Sequence, residues 1–320
     1  MNAIIFKESG SWTDTLELTE TILNEPAADE VQIKILARPV NPSDEMFIKG
    51  IYRQKPSLPQ IAGLEGTGII VKCGPSIEKS LVGKHAAFRT PGTWAEKINL
   101  KLSQFRLVPG NLPPETACQL SLNTLTAFAL LEQAGLSANQ WLLLTAANSS
   151  VGRQIIQLAK QKNINVIAIV RKDEHKNLLF SLGARAVLNS ETQNIEEEIK
   201  TITGMGANAI LDAVGGRLGT ILFNVAAPFG KIIIYGRLSN ENVSFSYGTV
   251  IYKNMKMEGF GIDSWMKSKT EEELGSIWEE LTTLASSGAL YINYDEIFGL
   301  ANYKEAITCY KNTGKRIILK

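Results

Sequence analysis

The run Thr145-Ala146-Ala147-Asn148-Ser149-Ser150-Val151-Gly152 joins an apolar segment to an amphipathic one, the place where a dinucleotide-binding unit folds its phosphate turn. Set on the pattern Gly-x-Gly-x-x-Gly, it reads Ala147, Ser149, Gly152, so only the last glycine is present. That glycine lets the following helix pack closely on the strand. Small Ala and Ser still permit backbone approach to a pyrophosphate, and the helix start supplies N–H groups and a positive dipole end. The same residues would also make an ordinary βα turn. The next apolar run ends Ala168-Ile169-Val170-Arg171-Lys172. An NAD site wants an acid there for the ribose 2′-hydroxyl. Two cations suit a 2′-phosphate instead, because arginine grips phosphate with a planar fork, so NADPH is favoured over NADH. A solvated basic loop capping the strand is the alternative reading.

Metal chemistry has little to draw on. Cys73, Cys118 and Cys309 are far apart and odd in number, and His85 and His175 are isolated. No CxxC spacing or disulfide framework follows, and no metal site is expected. Cys73 and Cys118 read as buried apolar residues, His85 as a surface or strand histidine, and Trp94 and Trp265 as packing residues. Asn41-Pro42-Ser43-Asp44 reads equally as a capped turn into a short helix or as a segment whose Asp44 orients a substrate.

These residues need elements to hold them. Residues 1–6, 16–18, 30–37, 63–71 and 107–108 read as strands, with Val31, Ile33, Ile35 and Ala37 alternating onto one face. Pro and Gly punctuate this region throughout, which fits a compact β-rich domain with long loops. From residue 114 the character changes. Residues 114–134 read as helical segments. Strands at 141–145, 166–170, 186–188, 209–211 and 231–235 then alternate with helices at 151–161, 173–182, 195–203 and 218–227. Continuous apolar strands between helices mean a parallel sheet covered on both faces. Past Met257 the chain is expected to return to the first domain, with a helix at 271–286 and a closing strand at 316–319.

The totals agree with two domains: 320 residues, 44% hydrophobic, 20% charged and a net charge of +1. Nothing in that balance asks for nucleic acid or an anionic membrane. No run is long and apolar enough for a bilayer, and the start of the sequence carries no signal-peptide pattern, so a cytoplasmic location is expected.

Several segments now share a likeness. Asn41-Pro42-Ser43-Asp44 is followed by Ile48-Lys49-Gly50-Ile51-Tyr52, Pro56, Pro59 and Gly63-Leu64-Glu65-Gly66-Thr67-Gly68. Then come Ser121-Leu122-Asn123-Thr124-Leu125-Thr126-Ala127, the Ala-Asn-Ser-Ser-Val-Gly turn, Val170-Arg171, Asp212-Ala213-Val214-Gly215-Gly216, Tyr235-Gly236 and Gly259-Phe260. In their order and spacing these segments resemble the medium-chain dehydrogenase/reductase superfamily over essentially the whole chain. Within it the nearest likeness is to mitochondrial-type 2-enoyl thioester reductases, and next to quinone oxidoreductases.

The resemblance implies an α/β protein: a GroES-like β-rich catalytic domain over residues 1–116 and 262–320, and a doubly wound Rossmann domain for NADPH over 117–261. It implies a zinc-independent reductase, since Asn41-Pro42 and Leu64 stand where zinc-bearing members place Cys and His. Glu65 then becomes a structural residue. It implies Tyr52 as proton donor, where the residues alone equally allow a loop aromatic packed under Pro56 and Pro59, and Asn123 as a residue near the nicotinamide. Asn148, Ser149, Ser150, Val151 and Gly152 would form the pyrophosphate turn. Arg171 and Lys172 would meet the 2′-phosphate. Tyr235, Gly236, Phe260 and Lys315 would be further cofactor contacts. The implied substrate is a small molecule, a 2-enoyl thioester first, a quinone or enone second; a non-catalytic NADPH-binding protein is the alternative of another class. A homodimer through an edge strand near residues 250–257 is also implied. The chain departs from the enoyl reductases at Gly261, at Leu64-Glu65-Gly66 and at Arg237, which bears on the acyl substrate more than on the cofactor.

Overall fold

The structure, a computed structural model, describes Met1–Lys320. The chain forms two compact units, Met1–Leu122 with Glu280–Lys320, and Asn123–Glu279. Along the first stretch lie β1 (Asn2–Phe6), β2 (Leu16–Glu20), β3 (Glu30–Pro39), α1 (Pro42–Ile48), β4 (Gln60–Ile61), β5 (Glu65–Cys73), β6 (His85–Arg89), β7 (Lys97–Lys101), β8 (Phe105–Val108) and α2 (Pro114–Ala117). A single π-helical turn, Leu120–Thr124, leads into α3 (Leu125–Ala134). Then follow β9 (Trp141–Leu144), α4 (Ser150–Gln161), β10 (Asn165–Val170), α5 (Lys176–Leu182), β11 (Ala186–Asn189), α6 (Ile195–Thr203) and β12 (Ala207–Asp212). After these come α7 (Gly216–Val225), β13 (Ala226–Ile234), α8 (Tyr247–Lys253), β14 (Lys256–Gly259), α9 (Ile262–Lys267) and α10 (Glu271–Ser286). The chain closes with β15 (Glu296–Phe298), α11 (Tyr303–Thr313) and β16 (Ile317–Leu319).

The first unit is built on two sheets. One has the order β2-β1-β4; the other runs β15-β16-β3-β5-β6-β8, with β7 also paired to β3. All these pairings are antiparallel except β15 with β16. Val31, Ile33, Ile35 and Ala37 of β3 are buried, as their alternation predicts. Gln32 and Arg38 are buried too. Phe6 of β1 gathers with Trp12, Phe47 and Trp94 in a separate core cluster. Trp94 is fully buried, so it is a packing residue here.

The second unit holds one six-stranded sheet, β11-β10-β9-β12-β13-β14, in which every pairing is parallel. Counted in chain order this is 3-2-1-4-5-6, the doubly wound Rossmann arrangement. Leu142, Leu143, Leu144, Val166, Ile167 and Ala168 are buried on either side of the pleat, because helices cover both faces. The core is Leu143, Ile167, Ile210, Leu222, Phe223 and Ile232, with their neighbours.

The unit boundaries differ from those expected at both ends. Residues 117–122 lie in the first unit, and 262–279 in the second, so the chain returns to the first unit within α10. Trp265 explains the second shift. Its Nε1–H donates to Glu132 on α3 at 2.8 Å, and its ring meets Phe128 edge-on at 6.4 Å. Lys269 pairs with the same carboxylate at 2.9 Å and lies 5.4 Å from the indole centroid. Two smaller differences concern element ends. Asp173–His175 is a 3₁₀ turn before α5, and β13 begins at Ala226 with a register shift opposite Ala207 and Ala209.

Candidate functional site

In the second unit, the residues of interest collect at the carboxyl ends of the parallel strands. Ligands of doubly wound sheets bind at those ends, where the strand order reverses; here that point lies between β9 and β12. After β9 the chain turns sharply, with Ala146 at φ 48°. Ser149 N–H donates to the Ala146 carbonyl at 2.9 Å. The Ser149 hydroxyl oxygen accepts Gly152 N–H at 3.1 Å and caps α4. A Cβ on Gly152 would lie 2.6 Å from the Ala147 carbonyl oxygen, so only glycine fits there. The turn therefore keeps the close helix–strand approach although two of the three pattern glycines are missing. Ser150 and Val151 follow in the first turn of α4, where backbone N–H groups have no carbonyl within the helix.

Sequence reasoning passed over the residue that braces this turn. Arg153 is 5% exposed, and its Nε–H donates to Asn148 Oδ1 at 3.0 Å while Nη2–H donates to the same oxygen. The available signal was a cation on the helix face that also carries Ile156 and Gln157, both buried. Asp212 at the end of β12 is a second omission. Its carboxylate accepts the Thr145 hydroxyl at 2.8 Å, Val214 N–H at 2.9 Å and Gly215 N–H at 3.1 Å. Thr145 Oγ1 in turn accepts Ala213 N–H at 2.9 Å. This network ties the ends of β9 and β12 together.

The other strand ends add to the same rim. Arg171 and Lys172 are exposed just past β10, and Lys172 is 3.9 Å from Glu174. Tyr235 N–H donates to the Asp212 carbonyl at 2.9 Å, and Phe260 N–H to the Ile234 carbonyl at 2.8 Å. A Cβ on Gly236 would meet the Ala213 carbonyl oxygen at 2.9 Å. The Tyr235 hydroxyl is buried and has no hydrogen-bond partner. Burial, reinforced by the nearby Asp212 charge, pushes its pKa up and keeps it a donor. A positive helix start, a close glycine approach, two exposed cations and an unpartnered buried donor fit a dinucleotide with an extra phosphate.

In the first unit, Tyr52 follows α1. The Met46 carbonyl accepts both Ile51 N–H and Tyr52 N–H at 3.0 Å. Tyr52 is half-buried and packs against the cluster of Phe6, Trp12 and Phe47. Its ring thus has a packing partner. Lys315, expected at the cofactor, is ion-paired with Glu296. Asn123, 9% exposed, sits in the π-helical turn.

Three buried polar residues meet at the start of α1: its N-cap Asn41, its own Asp44, and Glu65 of β5. Asn41 N–H donates to Asp44 Oδ2 at 2.7 Å, and Asn41 Nδ2–H to Glu65 Oε2 at 3.3 Å. Glu65 Oε1 accepts Leu122 N–H at 2.5 Å and the Ser121 hydroxyl at 3.4 Å. Burial pushes Asp44 up to about 7, against the pull of N–H groups from Asn41 and Leu64. It pushes Glu65 up to about 8, against hydrogen bonds from Leu122 and Asn41. No group of three or more His, Cys, Asp or Glu side chains is placed to hold a metal ion. No helix is long and apolar enough to cross a membrane.

Comparisons with known proteins follow the same division. The alcohol dehydrogenase GroES-like domain matches residues 27–105, and the zinc-binding dehydrogenase family model matches 150–279. The mitochondrial enoyl-acyl-carrier-protein reductase of Xenopus tropicalis is 29% identical, over 90% of this chain and 85% of its own. The Homo sapiens enzyme of that name is 28% identical over 96% of this chain and 84% of its own. A Bacillus thuringiensis protein, provisionally named an NADPH:quinone reductase, superposes with a TM-score of 0.93 at 28% identity, covering 100% of this chain and 98% of that one. Escherichia coli quinone oxidoreductase, solved with NADPH, shares the fold with a TM-score of 0.90 at 23% identity, over 100% and 99% of the two chains.

Proposed function

Because this chain belongs to the medium-chain dehydrogenase/reductase superfamily, we propose that it is an NADPH-dependent, zinc-independent reductase of activated C=C bonds, with a 2-enoyl thioester as substrate. The observation that carries the cofactor is the rim of strand ends, with the braced turn at α4 and Arg171 and Lys172 beyond β10. The thioester is supported by relatives named enoyl-acyl-carrier-protein reductases that align along most of the chain. Zinc independence is supported by Asn41, Pro42 and Leu64 at the positions where metal-bearing members place ligands.

When bound, NADPH supplies the hydride for the β-carbon of the alkene. The chain's own residues bind, orient and move a proton. The N–H groups opening α4 take the pyrophosphate, and Arg171 and Lys172 take the 2′-phosphate. Asn123 would lie near the nicotinamide, and Tyr235, Gly236 and Phe260 would be further cofactor contacts. Lys315 would be a further cofactor contact, and in the fold it is ion-paired with Glu296. Tyr52 then gives its hydroxyl proton to the α-carbon of the substrate enolate, and water restores it. A phenol with an ordinary pKa of about 10 holds that proton at neutral pH.

The test is oxidation of NADPH by the purified protein. Turnover with crotonyl-CoA and none with a quinone is the expected result. The reverse result would establish the second reading, a quinone reductase, which the name of the Bacillus thuringiensis protein favours.

A homodimer and a cytoplasmic location belong to the same proposal. β14 is an edge strand, and Tyr247, Ile251, Tyr252 and Met257 beside it are 78%, 65%, 87% and 53% exposed. An unpaired edge strand together with large exposed apolar side chains on the preceding helix suits a second copy. Light scattering should report a dimer for the wild type and a monomer for Tyr252→Glu. The three cysteines, all unpaired, suit a reducing compartment.

A further inference from the structure

We infer that Glu65 is a positioning residue of the reductase site, holding with one carboxyl group both the turn that presents Asn123 and the helix that leads to Tyr52. The inference rests on the reductase reading, since that reading gives Asn123 and Tyr52 their roles.

The first half of the argument is the turn. Leu120–Thr124 is a lone π-helical turn. Such a turn breaks the regular helical ladder, and π-turns occur often at functional sites. Glu65 Oε1 supplies an acceptor to this stretch, taking Leu122 N–H at 2.5 Å and the Ser121 hydroxyl at 3.4 Å. Asn123 is the next residue along the backbone, so the placement of Leu122 constrains it directly.

The second half is the helix. Glu65 Oε2 takes Asn41 Nδ2–H at 3.3 Å. Asn41 is the N-cap of α1, and its own N–H is bound by Asp44 Oδ2 at 2.7 Å. At the far end of α1 the Met46 carbonyl accepts Tyr52 N–H at 3.0 Å. One buried side chain is thus two links of hydrogen bonding and one short helix away from the proposed proton donor.

The residue type matters. Glu65 and Asp44 are each 1% exposed, and burying a carboxyl is costly compared with filling the same space by an apolar side chain. What a carboxyl group adds over an amide is acceptor capacity on both oxygens, since even the protonated oxygen keeps a lone pair. Three donors converge on Glu65, from Leu122, Ser121 and Asn41. Glutamine has one accepting oxygen and would turn its NH₂ toward the donor of Asn41. A shape-preserving Glu65→Gln change therefore keeps the volume and opposes one bond.

The experiment compares wild type, Glu65→Gln and the double variant Glu65→Gln/Asn41→Asp, in which residue 41 becomes the acceptor. We expect Glu65→Gln to bind NADPH within about twofold of wild type but to lose about tenfold in kcat with crotonyl-CoA, because small displacements of positioning groups are expensive. The double variant should recover most of that loss. A role confined to stability would lower Tm and leave kcat per folded molecule and the emission of bound NADPH unchanged; that result overturns the inference. The emission is read without substrate. Shifted emission in Glu65→Gln, restored in the double variant, supports positioning even for a wild type that reduces neither alkene nor quinone, an outcome that removes the reductase reading alone. A wild type that binds no NADPH overturns both.

Discussion

Arg171 and Lys172 are exposed at the end of β10, so their contribution to cofactor choice is open to direct measurement. Arg171→Ala should weaken NADPH binding by about 1.5–3 kcal/mol, the scale of a hydrogen bond to a charged group, and leave NADH binding nearly unchanged. Titration of both cofactors checks this; equal loss for the two would remove the 2′-phosphate role. Tyr52→Phe should keep NADPH binding and lower kcat for the enoyl thioester by roughly 10²–10⁴-fold, the usual share of a general acid. Full activity in that variant would assign the tyrosine to packing alone. The residues named from chain order were those whose chemistry needs only a local frame, as for Gly152 and Arg171. Arg153, Asp212 and Glu65 were hidden because their meaning lies in partners. Asp212 meets Thr145, and Glu65 meets Asn41 and Leu122, and no local pattern joins such pairs. Lys315 is the opposite case, a cation legible by likeness whose nearest charge in the fold is Glu296.

The βαβ elements were legible because each strand of the second unit is a short, unbroken apolar run between amphipathic helices. Their ends were less so. β13 opens at Ala226 and carries Pro228 and Gly230, residues that read as a break in a strand, with Phe229 at φ 61°. The α4 turn depends on its one remaining glycine for the approach of helix to strand. Gly152→Ala sets a methyl 2.6 Å from the Ala147 carbonyl oxygen and 2.9 Å from that of Ala146, both main-chain atoms. The variant should lose about 1–3 kcal/mol of stability, the usual cost of overpacking, and bind NADPH more weakly. Thermal unfolding and a binding titration on the same sample measure the two effects. Unchanged binding would detach the turn from the cofactor.

Two buried carboxyls give the molecule a pH signature. Asp44 is raised from 3.8 to about 7 and Glu65 from 4.5 to about 8, burial being the chief cause for both. A raised carboxyl pKa means that the fold holds the proton more tightly than the unfolded chain does. Stability from these groups is therefore fully present below about pH 4 and is lost as pH rises through 7 and 8. Tm should fall between about pH 5 and pH 9, and Glu65→Gln should flatten part of that slope. A Tm that climbs over this range in the wild type, or an unaltered slope in the variant, contradicts the assignment. The division into a β-rich unit and a doubly wound unit was visible in the sequence; the position of its second boundary was not. Nothing local to residues 262–279 announces that Trp265 will bond to Glu132 on α3.

The sheet of the first unit places β16 between β15 and β3, pairing Ile318 with Pro39 and Leu319 with Arg38. On the ribosome, the Arg38–Pro39 end of β3, past the stretch that β7 covers, therefore emerges long before the strand that must flank it. The Asn123–Glu279 unit is one continuous stretch and can close while β3 is still waiting. The half of the protein that is translated first is the half that finishes last, and its open sheet edge is the surface a nascent chain has to keep covered.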